Sequence, residues 1–186
     1  MFQQIPFNLN SIPTSSNFVD RLSDTVNLEK YLLPRRSHSQ RTRKIFMLHG
    51  LSGVGKTQLA IDFTRRHQAT FSSIFWLDGR SEDRLRGSIA RCVNRIPKGQ
   101  IPSTSRKQAE AYSKDDLNAA VASVIEWLER PENGDWLLIF DNVDQDYEQG
   151  GVTGVYDLRR YLPGDNGAIL VTTRLSRLAQ LGESRC

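Results

Sequence analysis

Cysteine is scarce in this chain: Cys92 and Cys186 are its only two, far apart in the sequence. That excludes a disulfide framework and a cysteine-bound zinc site, and it suits a reducing interior. Histidine is nearly as rare, with only His38, His49 and His67. No apolar run approaches the roughly 20 residues a membrane helix needs. Residues 1 to 17 also lack the charged start and apolar centre of a signal peptide. The expectation is a cytoplasmic protein with no membrane partner. Charge of one sign is lacking too: 25 Lys and Arg stand against 21 Asp and Glu, leaving +4. The basic residues are scattered, with small clusters at Arg35-Arg36, Arg41 to Lys44 and Arg65-Arg66. There is no aromatic-basic stacking platform and no recognition-helix signature, so nucleic acid is not an expected partner.

What the chain does have is Gly50-Leu51-Ser52-Gly53-Val54-Gly55-Lys56-Thr57, a full match to the phosphate-binding pattern G-x-x-x-x-G-K-[ST]. The glycines let the backbone curl so that successive N–H groups face an anion. Lys56 brings a cation to the β/γ-phosphates, and the Thr57 hydroxyl can ligate Mg²⁺. Ile45 to His49 precedes the loop as a short apolar run, the form of a strand buried on both faces. Leu59, Ala60 and Phe63 follow it at helical spacing. Strand, glycine loop and helix together predict nucleoside-phosphate binding. The candidate contacts are Gly50, Ser52, Gly53, Val54, Gly55, Lys56, Thr57 and Gln58.

Along the chain, residues 1–17 are rich in Asn, Ser, Gln and Pro, and are expected to lack a fixed fold. Residues 18–44 read as a short helix, about Asp24 to Leu33, and a basic linker. Residues 45–186 read as one α/β domain. Its further strands are Ser73 to Asp78, Trp136 to Phe140 and Ala168 to Thr172, alternating with helices that start at Ser81 and at the capping box Ser113-Lys114-Asp115-Asp116. The stretch from Pro97 to Tyr112 has no periodicity and is expected to be a loop.

A phosphate loop needs a carboxylate to help hold Mg²⁺, usually at the end of a buried strand. Asp141 stands there. The next residue commonly positions the attacking water, and here it is Asn142, an amide that can orient water without taking its proton. Asp144 is the alternative base, or a plain turn residue. Arg174, after Thr172-Thr173, either reaches the γ-phosphate or is a solvated junction arginine.

The order GLSGVGKTQLA, LLIFDNVD and ILVTTR resembles the nucleotide-binding module of the NB-ARC family, which includes plant and fungal NLR immune-type receptors. Phe18-Val19-Asp20-Arg21 resembles that family's adenine-side motif, with Asp20 in place of Gly and Leu22 in place of Glu. The resemblance implies a P-loop NTPase sheet with an inserted strand between the phosphate-loop strand and the strand ending in Asp141. It implies ATP or ADP with Mg²⁺ held through Thr57 and Asp141, base-side contacts from Val19 and Arg21, and Arg174 as γ-phosphate sensor. It also implies a signalling switch that is resting with ADP and oligomerises with ATP, with slow or absent hydrolysis because Asn142 replaces a second Asp. The alternatives are a generic P-loop ATPase or kinase and a non-hydrolysing scaffold. Four strands are readable, so the fifth strand and the helical lid of that family are expected beyond residue 186. The first strand would then be an exposed, association-prone edge.

Overall fold

The computed structural model describes Ile5 and residues 21–34, 42–110, 113–145 and 156–185. Five parallel strands form its sheet: β1 (Lys44–His49), β2 (Ser73–Asp78), β3 (Trp136–Asp141), β4 (Ala168–Thr173) and β5 (Glu183–Arg185). Their spatial order is β2-β3-β4-β1-β5. As expected, β4 is inserted between β1 and β3.

The strands are apolar throughout because both faces of the sheet are covered. Along β3, Leu138 and Phe140 belong to the core under α3 (Glu82–Arg91) and α5 (Lys114–Glu129), while Leu137 and Ile139 face the other core. That second core is built from α1 (Leu22–Leu32) and α2 (Lys56–His67) through Leu28, Leu32, Leu59 and Phe63. Side chains alternate faces along a strand, so two apolar layers require an unbroken apolar run. The capping residues behave as read: the Ser81 and Ser113 side chains accept from the Arg84 and Asp116 amides at the starts of α3 and α5. No helix among the described residues is long and apolar enough to cross a membrane.

Three expectations need correction. The stretch from Pro97 contains a helix, α4 (Thr104–Glu110), built on polar contacts that leave no apolar period. The Ser105 hydroxyl donates to Ser123 Oγ at 3.0 Å, and Arg106 donates to the Val93 and Ile96 carbonyls. Ile5, in the segment expected to lack a fixed fold, is buried, and its N–H donates to the Ser72 carbonyl at 2.9 Å. The sheet does not end on its fourth strand. β5 pairs with Phe46, Met47 and Leu48 of β1, so β1 has neighbours on both sides. Glu183-Ser184-Arg185 is polar and short, and nothing in its pattern marks a strand.

Candidate functional site

β1 ends at His49, and the chain turns through three glycines of positive φ: Gly50 (149°), Gly53 (80°) and Gly55 (85°). Only glycine takes such angles without a steric cost. Gly55 is the N-cap of α2 and offers no side-chain cap to the helix, whose N-terminal partial positive charge favours an anion. Lys56 folds back over the loop, its Nζ donating to the Gly50 and Leu51 carbonyls, both at 2.8 Å. Partial burial pulls its ammonium below the usual lysine range, against the opposing pull of Asp144.

Thr57, one residue on, donates its hydroxyl to Asp141 Oδ1 at 2.9 Å. Asp141 is buried at the end of β3 and takes two more bonds, from Thr172 Oγ1 at 2.6 Å and Asn142 Nδ2 at 3.1 Å. Asn142 is the one non-glycine residue of positive φ among those described (61°), a conformation asparagine tolerates better than most residues. Its own N–H donates to Thr172 Oγ1 at 2.9 Å.

Beyond it the exits of β3 and β4 are joined step by step. The Val143 N–H donates to the Thr172 carbonyl at 2.9 Å, and Thr173 Oγ1 donates to the Val143 carbonyl at 2.5 Å. Arg174 donates to Asp144 through its backbone N–H at 2.6 Å and its Nε at 2.7 Å.

These residues border one cleft of about 660 Å³, lined by Ser52, Gly53, Gly55, Lys56, Thr57, Gln58, Asn142, Asp144, Gln145 and Arg174, and by Arg80 from beyond β2. Its size lies within the ordinary range for small-molecule sites. A smaller pocket of about 170 Å³ borders the other side of the loop, between Arg21, Phe46, Leu48, Gly50, Val54 and Leu59. Arg21 is fixed there, its Nη1 donating to the Val54 carbonyl at 3.0 Å and its Nε paired with Asp24 at 2.7 Å. Val19 lies outside the described residues.

Four contributors carry no mark in the sequence. Thr172 and Thr173 look like ordinary strand residues, and their hydroxyl bonds become visible only once β4 is known to sit beside β3. Arg80 follows a strand end with no motif around it. Gly79 is the fourth: its N–H donates to the Asp141 carbonyl at 2.7 Å. A Cβ placed on Gly79 would lie 2.5 Å from Val143 Cγ2 and 2.9 Å from that carbonyl. Gly79→Ala is therefore expected to destabilise the fold by about 1–3 kcal/mol, as overpacking typically does. Urea unfolding checks it, and a midpoint equal to wild type would mean the strand ends have slack.

No family model matches the sequence, and no curated protein does. Among solved structures the chain is similar to Cdc6p from Pyrobaculum aerophilum, at 15% identity and a TM-score of 0.51, covering 91% of this chain and 44% of that one. The likeness is one of fold. It agrees with the α/β class read from the sequence: a parallel sheet with flanking helices in a P-loop NTPase-like arrangement. This chain spans less than half the length of that structure.

Proposed function

We propose that this chain is the nucleotide-binding module of an ADP/ATP-dependent switch of NB-ARC type. The supporting observation is the meeting of Thr57, in the first turn of α2, with Asp141 across 2.9 Å. Joining the loop to the end of a buried strand is what the binding of a Mg²⁺-nucleotide requires. The Thr57 hydroxyl and the Asp141 carboxylate are oxygen donors, the type a hard divalent ion prefers. They fit Mg²⁺, which when bound would neutralise phosphate charge.

The chain's own residues do the rest. Lys56 exchanges the Gly50 and Leu51 carbonyls for phosphate oxygens. In this reading Arg174 contacts the terminal phosphate, giving up its Nε bond to Asp144, and the pocket holding Arg21 is the candidate seat for the base.

Slow or absent turnover is part of this reading. Asn142, the residue after the metal-side acid, has no basic group and spends its amide N–H on Asp141. General-base help to water from that position, typically about 10²–10⁴-fold, is thus withheld. That favours a switch or a non-hydrolysing scaffold over a P-loop enzyme with fast turnover. Protein partners or self-association in the cytoplasm complete this reading.

The test is calorimetric titration with ADP, with and without Mg²⁺, on wild type and Asp141→Asn. Wild-type affinity is expected to rise with Mg²⁺ by roughly 5–150-fold, the usual span of coupling between two bound ligands. The variant should lose that gain. Absence of ADP binding under both conditions would defeat the reading, and an undiminished Mg²⁺ effect in the variant would remove Asp141 from it.

A further inference from the structure

Arg80 sits in the cleft opposite the phosphate loop, and neither the motifs nor the proposed switch gives it a task. Its position is set by the sheet. Asp78 pairs in register with Asp141 on the neighbouring strand, and adjacent strands run about 4.8 Å apart. The Gly79 N–H then holds the chain against the Asp141 carbonyl for one more residue. Arg80 therefore leaves the backbone beside Asp141 and lines the same cleft as Lys56, Thr57 and Arg174.

The guanidinium is parked. Its Nε and Nη2 donate to the two Asp78 oxygens at 2.8 and 2.6 Å, while the side chain stays 57% exposed. Asp78 has a second cation in reserve, since Arg84 Nη1 on α3 lies 3.4 Å from Asp78 Oδ2. The Arg80 N–H also donates to Asp78 Oδ1 at 3.2 Å. Departure of the Arg80 side chain would not strand the carboxylate.

A forked guanidinium matches phosphate geometry as well as it matches carboxylate. An exposed ion pair is worth little, so a phosphate inside the cleft can outcompete it.

We propose that Arg80 is a second contact for the terminal phosphate of a bound nucleoside triphosphate, leaving Asp78 to Arg84 when that phosphate arrives. The proposal rests on the nucleotide reading above and adds a specificity determinant to it. In this proposal Arg80 meets the third phosphate and not the first two, so it discriminates ATP from ADP.

The experiment titrates Mg²⁺-ADP and the non-hydrolysable Mg²⁺-AMP-PNP into wild type, Arg80→Ala, Arg80→Lys and Asp78→Asn. Arg80→Ala should weaken AMP-PNP about tenfold or more, the scale of a charge-assisted bond, and change ADP less than twofold. Arg80→Lys should recover part of the loss, because it keeps the charge without the fork. Asp78→Asn should leave AMP-PNP binding intact or tighter, because it frees Arg80.

Equal losses for both nucleotides, or none for either, would overturn the proposal. So would an Asp78→Asn loss matching that of Arg80→Ala, since the pair would then be a structural brace. Failure of wild type to bind either nucleotide would overturn it together with the reading beneath it. Binding by wild type with no effect of Arg80→Ala would remove Arg80 alone.

Discussion

Replacing Lys56 with alanine is expected to weaken ADP binding at least tenfold. A hydrogen bond to a charged group typically contributes about 1.5–3 kcal/mol, and about 1.4 kcal/mol is a factor of ten. Two things are lost together. The phosphate loses its point charge, and the loop loses the brace that ties Gly50 and Leu51 back to α2. Lys56→Met, which keeps the apolar stem but neither the charge nor the donors, removes both together and should weaken ADP as much as alanine does. Titration with ADP and Mg²⁺ is the measurement, with circular dichroism as the check on folding. Equal affinities in folded protein would mean the loop is not the site.

Trp136→Ala is expected to cost about 3–5 kcal/mol, as for other large-to-small changes in a core. That is a large share of the roughly 5–15 kcal/mol that holds an ordinary domain together. Trp136 is fully buried, and its Nε1 donates to the Leu128 carbonyl at 2.8 Å. Its ring lies flush against Gly167, where an added Cβ would come within 2.3–2.5 Å of three ring carbons. The backbone thus runs along the ring itself, with no side chain on Gly167 to fill the void after truncation.

A chain of this size loses roughly 2–4 °C of Tm per kcal/mol, so melting should fall by about 6–20 °C. Trp136→Phe, which keeps most of the ring volume and drops the N–H, should lose less. Thermal melts followed by circular dichroism decide it. A fall of under about 2 °C for Trp136→Ala would mean the core has closed over the gap.

The parts of this chain legible in its sequence are those whose cause is local. The glycine loop needs particular backbone angles, the buried strands need apolar residues on both faces, and helix starts need serine caps. Each leaves a mark within a few residues. What escaped reading is non-local.

The hydroxyls of Thr172 and Thr173 gain meaning only from the β3–β4 pairing. α4 is held by Arg106 reaching carbonyls on another segment, and β5 by the strand it lies beside. At the candidate site, Lys56, Thr57 and Asp141 announced themselves by motif and strand end. Arg80 did not, because an arginine two residues past a strand resembles any other surface arginine. Asp144 and Arg174 have separate candidate tasks in the sequence, and their pairing with each other has no sequence signature.

The stitching between the ends of β3 and β4 has a consequence for how such a module would signal. Asn142, Val143 and Asp144 are each bonded to Thr172, Thr173 or Arg174, so the two strand exits form one stiff plate. The Arg174 side chain can leave Asp144, but the two exits stay joined through Asn142, Val143, Thr172 and Thr173. Packed, multiply bonded units of this kind hold one arrangement or another, with few stable positions between. In the proposed switch the readout would therefore be digital. Raising the ligand concentration would change how many molecules have switched, and not how far each one has moved.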